Sequence, residues 1–213
     1  MGTKKLVEKT YNKLAPVYDN FLGGVNEIIK ILPKYLKHGK ILDIGCGTGE
    51  DLKFLSKFGF ELYGIDLSEK MVEIAKKKVR NAKIFRLDVR EVDKLFPNDY
   101  FDCVLAMYSI VHLPKKEVKE VLRKIKKILK KDGLLVLGML LGEGEKTVQV
   151  PFRKELKYFV SLFKENEIIS ILSNLGFIIL KKIHLKPETY EIKFDRIEII
   201  SKKKGKYDES LRN

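Results

Sequence analysis

The chain has no tryptophan, two cysteines, three histidines and six prolines in 213 residues. Each shortage narrows what it can be. Cys46 and Cys103 form neither a C-x-x-C pair nor a metal-type spacing, and His38, His112 and His184 are scattered between and around them. A disulfide framework is therefore excluded and no metal site is expected. No apolar run approaches the roughly 20 residues that a transmembrane helix needs, and no apolar stretch follows the lysines near the N-terminus. The expectation is a soluble cytoplasmic protein without membrane contact. Internal repeats and low-complexity linkers are also missing, so 1–213 reads as a single domain, large enough to bury a core without staples.

Positive charge is abundant, with 43 Lys and Arg against 29 Asp and Glu, a formal net charge of +14. Such a balance suits a nucleic-acid binder, but the lysines fall on nearly every expected helix opposite apolar stripes and gather in no single tract. They read as solvated faces. Richness in Lys, Ile and Glu also looks like a thermophile composition. Lys202, Lys203, Lys204 and Lys206, with Arg153, Lys154 and Lys157, form the one candidate patch and keep RNA open as a partner.

Strand and helix patterns alternate, which predicts a mainly parallel α/β sheet with helices on both faces. Strands are expected at 40–44, 61–65, 83–87, 101–106 and 134–140. The spacing of Val118, Val121, Leu122, Ile125, Ile128 and Leu129 predicts an amphipathic helix over 117–130. Ser68 is placed to cap a helix running to Val79. After Leu140 the glycines, Pro151 and the aromatics at 152, 158, 159 and 163 read as an inserted loop and helix. A further helix should run from Lys164 to Gly176, followed by β-rich runs at 177–185 and 194–202 and a disordered tail over 203–213.

The most informative run is Ile41-Leu42-Asp43-Ile44-Gly45-Cys46-Gly47-Thr48-Gly49-Glu50-Asp51-Leu52. A hydrophobic strand enters a glycine-spaced turn that opens into a helix, the arrangement by which α/β proteins bring ligand atoms close to backbone N–H groups. The glycines alternate at 45, 47 and 49. Glu50 stands where a dinucleotide fingerprint carries its third glycine, and no G-K-[ST] follows. Pyrophosphate cradles of both kinds are thereby excluded. Further on, Glu61-Leu62-Tyr63-Gly64-Ile65 ends in Asp66, placed to accept from ribose hydroxyls.

Asp43, the alternating glycines and Asp66 resemble the first two motifs of class I S-adenosylmethionine-dependent methyltransferases, of the small-molecule type 11/25-like branch. Phe85-Arg86-Leu87-Asp88-Val89 resembles the third, the run from Phe101 to Pro114 the fourth, and Asp132-Gly133 with the apolar run to Leu140 the fifth. The order and the βα spacing make the set specific. The resemblance implies a Rossmann-like doubly wound sheet, mostly parallel and seven-stranded, with the last two strands antiparallel at one edge. It divides the chain into an N-terminal helical lid (1–36), a cofactor-binding core (37–140), a substrate-side insertion (141–164) and a C-terminal helix with edge strands (165–202).

It also implies S-adenosyl-L-methionine as cofactor, with S-adenosyl-L-homocysteine as product. Gly45, Cys46 and Gly47 would line its methionine part, Asp66 its ribose, Leu67, Asp88 and Val89 its adenine. Ala106 and Met107 would touch the methionine end. Met71 would border the adenine, although the apolar stripe of its helix explains it equally well. Thr10-Tyr11-Asn12-Lys13-Leu14-Ala15-Pro16-Val17-Tyr18-Asp19 resembles the Y-x-x-x-A-x-x-Y-D run of many small-molecule methyltransferases, in which Tyr11 and Tyr18 would close over the cofactor. Pro16 predicts a break there. Tyr108 and His112 would face the transfer zone, and His112 and Tyr18 are the candidate catalytic side chains.

The reaction expected is SN2 transfer of a methyl group to an O, N or C nucleophile of a small molecule. The fourth motif, Ala106-Met107-Tyr108-Ser109, lacks the Asn/Asp-Pro-Pro-aromatic run of exocyclic base methylation, and no Pro-Cys nucleophile is present. The alternative is a tRNA wobble-uridine side-chain methyltransferase, whose fourth motif can read close to Ser-x-x-His. No residue dictates the acceptor or the oligomeric state.

Overall fold

The computed structural model describes residues 2–187 and 193–205. The N-terminal part is helical, with α1 (Thr3–Leu14), α2 (Tyr18–Leu22) and α3 (Glu27–Ile31). The core then runs β1 (Lys40–Ile44), α4 (Glu50–Leu55), β2 (Glu61–Asp66), α5 (Glu69–Lys78), β3 (Lys83–Arg86), α6 (Val92–Leu95), β4 (Phe101–Met107), α7 (Lys115–Ile128) and β5 (Leu129–Leu140). After it come β6 (Glu145–Val150), β7 (Arg153–Ser161), α8 (Glu165–Asn174), β8 (Phe177–Leu185) and β9 (Arg196–Lys203). Among the described residues no helix is long and apolar enough to cross a membrane.

Seven strands form one sheet in the order β3-β2-β1-β4-β5-β9-β8. All neighbours from β3 to β5 are parallel, and β9 is antiparallel to both β5 and β8. The reversed strand thus sits one place in from the edge, with β8 outermost. Strand order reverses at β1, which pairs β2 on one side and β4 on the other, so the crevice at the carboxyl ends of β1 and β4 is the topological switch point where such sheets bind ligands. Ile41, Leu42 and Ile44 are buried, as both faces of a central parallel strand require.

On α7 the predicted stripe of Val118, Val121, Leu122, Ile125 and Ile128 is buried. The helix begins and ends two residues earlier than expected, because Leu129 already pairs with Phe101 as the first residue of β5. Ser68 caps α5, its Oγ accepting from the Met71 N–H at 3.2 Å.

The loop and helix expected over 141–164 are a correction. That segment is a β-hairpin, β6 against β7, turning at Pro151 and Phe152. Leu156, Tyr158 and Val160 are buried while Lys157 is exposed and Phe159 partly so, a period of two that packs only as a strand. Helix α1 lies along β7, where the buried Thr10 Oγ1 donates to the Lys157 carbonyl at 2.6 Å. Pro16 falls in a single 3-10 turn, Ala15–Val17, that separates α1 from α2.

The proposed basic patch is partly neutralised. Lys202 pairs with Asp132 and Lys203 with Asp99, each at 2.9 Å, and Arg153 pairs with Glu155 at 2.5 Å. Of the expected disordered tail, Lys203 closes β9 and the Lys204 N–H donates to the Gly176 carbonyl at 2.9 Å, which corrects the boundary. Residues 206–213, with Lys206, lie outside the described residues.

Thr10→Val keeps the shape of the side chain and leaves the Lys157 carbonyl without its donor. Urea unfolding should show a loss of about 1–3 kcal/mol, the cost of an unsatisfied buried acceptor. An unchanged midpoint would mean that this bond does not hold α1 to the hairpin.

Candidate active site

A cavity of about 260 Å³ opens at the switch point. Its wall follows the carboxyl ends of the strands in sheet order: Leu87, Asp88 and Val89 after β3, Asp66 and Leu67 at β2, the glycine turn after β1, Met107 and Tyr108 at β4, and Leu140 at β5. The roof is supplied by Tyr11 and Tyr18 from the N-terminal segment and Tyr158 from β7.

The glycine turn is held by the neighbouring strand. Both the Gly45 and Cys46 N–H groups donate to the Ile65 carbonyl, at 2.8 and 3.0 Å, and the Gly47 N–H donates to Asp66 Oδ2 at 2.9 Å. Gly45 has φ +70°, and a Cβ there would stand 2.3 Å from the Ser109 Cβ. Gly47 has φ +52°, and a Cβ there would meet only the Tyr18 ring, at 4.0 Å. One glycine is needed for packing beneath the turn, and the other leaves its upper surface bare for a ligand.

Asp66 accepts from two backbone groups, Gly47 N–H and, at 2.8 Å, Ser68 N–H. Burial nevertheless pushes its carboxyl up to about 6. Asp51 is also pushed up to about 6 by burial, although Asn26 donates to it from its backbone N–H at 3.1 Å and from Nδ2 at 2.7 Å. Asp43 is raised well above the usual carboxylate range by burial and by the negative charges of Asp51 and Asp66. Asp88 behaves oppositely. Burial works to raise it, but the Arg90 N–H, the Lys4 ammonium at 3.0 Å and the Arg90 guanidinium at 3.0 Å hold it below the usual range.

His112 stands between lid and hairpin. Its Nδ1 lies 2.7 Å from the Phe159 carbonyl, which can only accept, so Nδ1 carries the proton and Nε2 accepts from the Tyr11 hydroxyl at 2.7 Å. Burial pulls its pKa down to about 4, and the imidazole is neutral at pH 7. Polar contacts fasten the lid to the core. Asn12 Oδ1 accepts from Ser68 Oγ at 2.7 Å, Glu8 pairs with Arg86 at 2.6 Å, and Asp19 accepts from Thr48 Oγ1 and from Lys78, which also pairs with Glu50.

Of the residues expected from sequence, Tyr11, Tyr18, Gly45, Cys46, Gly47, Asp66, Leu67, Asp88, Val89, Met107 and His112 line the cavity. Ala106 and Met71 do not. Successive strand residues point to opposite faces, so while Met107 reaches the cavity Ala106 is sealed in the sheet core. Met71 is fully buried beneath α5, on the apolar stripe that was its alternative reading. Asn26, Asp51, Ser109, Tyr158 and Arg196 also line the cavity without having been singled out as site residues. Asp51 could have been suspected from its place in the first turn after the glycines; Asn26 and Arg196 are brought in by long-range packing and carry no local signal.

Two features fit a cationic, nucleoside-bearing cofactor. Ser109 Oγ is buried beside the turn with no hydrogen-bond partner among the described residues. Asp43, Asp51 and Asp66 are raised by burial, so the wall holds acidic groups whose ionisation a positive ligand would favour.

Residues 41–133 match the family profile described as a methyltransferase domain. A carboxy-S-adenosyl-L-methionine synthase of Campylobacter hominis is 30% identical over 181 residues, covering 72% of this chain and 76% of that protein. Phosphoethanolamine N-methyltransferase 2 of Caenorhabditis elegans is 31% identical over 184 residues, 81% of this chain and 41% of that one. Among solved structures, magnesium protoporphyrin IX methyltransferase of Synechocystis with bound S-adenosylmethionine superposes with a TM-score of 0.73 at 18% identity, covering 95% of this chain and 98% of that one, which shows a shared fold. The chain spans about half the length of several curated relatives that it matches.

The raised carboxyl of Asp66 has a thermal signature. Between the ordinary aspartate value of about 3.8 and about 6 the folded state holds more protons at this site than the unfolded state, so the site's contribution to stability falls as pH rises through that window. Asp66→Asn removes the titration. Melting of ligand-free protein should show the variant gaining on the parent from pH 4 to 6 and a constant difference above pH 7; parallel pH profiles would refute the raised carboxyl.

Proposed function

The chain belongs to the class I S-adenosylmethionine-dependent methyltransferases, and from that premise we propose that it is an enzyme that transfers a methyl group from S-adenosylmethionine to a small molecule. The observation that carries the proposal is the covered cavity at the switch point, whose walls present Asp88, Asp66 and the bare glycine turn in sequence beneath Tyr11, Tyr18 and Tyr158. A roof built from lid and hairpin suits an acceptor that enters whole. The relative from C. elegans is named for such an acceptor, phosphoethanolamine.

When bound, the cofactor supplies an activated methyl group on a positively charged sulfur, with a neutral thioether as leaving group. The chain's own tasks are then placement and water exclusion, for which alignment alone can supply about 7–11 kcal/mol. Asp66, fixed by the Gly47 and Ser68 N–H groups, has acceptor capacity left for ribose hydroxyls. Leu67, Leu87 and Val89 offer apolar walls to a base, and the Asp88 carboxylate, ionised by its two cations, is an acceptor at the same end.

His112 is a poor general base, since its pKa lies near 4 and its Nε2 lone pair is taken up by Tyr11. We assign it a positioning role. It orients the Tyr11 hydroxyl at the cavity wall, while Tyr18 closes over Gly47.

Calorimetry with S-adenosylhomocysteine tests the reading. Binding is expected for the parent, and Asp66→Ala should weaken it by about 10–100-fold, the equivalent of charge-assisted hydrogen bonds, with the circular dichroism spectrum retained. No heat with S-adenosylmethionine or S-adenosylhomocysteine at millimolar concentration would exclude the assignment.

A further inference from the structure

Four ring systems meet at one part of the cavity wall. Tyr11, Tyr158 and His112 form a triangle with centroid separations of 6.2 Å for the two tyrosines and 5.2 and 5.3 Å from each to the imidazole. Tyr18 adds a fourth ring 6.1 Å from Tyr11, above Gly47. All four line the cavity. Faces of tyrosine attract cations, and groups of such rings enclose alkylated ammonium ions.

The charges around the rings favour the same sign of ligand. Asp43, Asp51 and Asp66 line the floor, and His112 contributes no positive charge. Two of the lining cations, Lys4 and Arg90, are committed to Asp88 at the far end. Arg196 lies over the Tyr108 ring at 5.7 Å, on the same face of β9 as the buried Glu198, which accepts from the Tyr108 hydroxyl at 2.9 Å. An oxyanion or enolate nucleophile would share the cavity with Asp43, Asp51 and Asp66, whose acidic groups its charge would oppose. A neutral amine meets no such penalty.

We propose that the acceptor is an amine and that the Tyr11, Tyr18 and Tyr158 rings form a box for the ammonium product. This rests on the methyltransferase reading above and names its acceptor class. In the transfer, the amine in its neutral form gives its lone pair to the methyl carbon. The carbon–sulfur bond breaks with its electron pair passing to sulfur as a thioether, and the positive charge passes from sulfur to nitrogen. Any N–H proton of the product leaves later to solvent. The rings that would hold the ammonium product would also favour the charge as it develops on nitrogen, and an amine attacking in its neutral form requires no strong base. That agrees with an imidazole kept neutral and occupied by Tyr11.

The test is a titration of the protein loaded with S-adenosylhomocysteine, using tetramethylammonium chloride against tert-butanol, a neutral molecule of similar shape. The cation is expected to bind about tenfold or more tightly than the alcohol. Tyr18→Leu should abolish that preference, and Tyr18→Phe, which retains the ring, should keep it. Tyr18 is only half-buried, and circular dichroism checks that both variants fold. Equal affinity for cation and alcohol, or no saturable cation binding at tens of millimolar, overturns the amine assignment while S-adenosylhomocysteine binding leaves the methyltransferase reading standing. A preference that survives Tyr18→Leu also overturns the box. Failure of S-adenosylhomocysteine itself to bind overturns both.

Discussion

The hydrogen bond from the Gly47 amide to the Asp66 carboxylate is the join on which the site depends. It ties the turn after β1 to the end of β2, beside the two bonds that Gly45 and Cys46 make to the Ile65 carbonyl. These contacts fix the turn in left-handed conformations that only glycine adopts without strain. They also hold Asp66 where burial disfavours its charge, because two backbone donors offset part of the lost hydration. A serviceable carboxylate and an open turn are therefore two aspects of one local structure, joined by the Gly47 N–H.

Above that floor the roof is made from two parts distant in sequence. Helix α1 and strand β7 are bonded through Thr10 and Lys157, and His112 bridges them, accepting from Tyr11 on one side and donating to the Phe159 carbonyl on the other. A second clasp lies at the surface, where the Phe21 and Phe152 rings stack at 4.3 Å and 10° between α2 and the hairpin turn. Lid and hairpin thus share contacts at both depth and surface, which favours their moving together. The neutral state of His112 is part of the join: a protonated ring would lose the lone pair that accepts from Tyr11.

The parallel core was legible in the sequence because local chemistry specifies it. Alternating glycines, Asp66 and the helical stripe of α7 are short-range signals, and each lies where its spacing placed it. The hairpin departs from the loop and helix expected over 141–164 because the glycines and Pro151 mask the period of two at Leu156, Tyr158 and Val160, which packs only as a strand. Arg196 and Asn26 could not have been found locally. Arg196 reaches the wall because β9 inserts beside β5, and Asn26 because it grips Asp51, both products of chain reversals set by distant packing. Ala106 is the complementary case, a motif position whose side chain falls on the face of the strand that the sheet core covers.

Net charge and site charge have opposite signs here, and burial explains the difference. A lysine at the surface retains its hydration and needs no partner, so the excess of 43 basic over 29 acidic residues can spread over solvated helix faces such as that of α7 with little effect on the interior. Asp43, Asp51 and Asp66 are few, but they are withdrawn from water beside a cavity, where the dielectric is lower and a positive ligand, by favouring their ionisation, would meet each charge more strongly. What enters the cavity experiences those acidic groups, the tyrosine faces and the lining Lys4, Arg90 and Arg196 before it experiences the lysines on outer helix faces, whose field is screened within about 8–10 Å by physiological salt. The basic composition consequently describes the protein's exterior, and the preference of the site has to be read from the small number of acidic side chains that folding has buried around it.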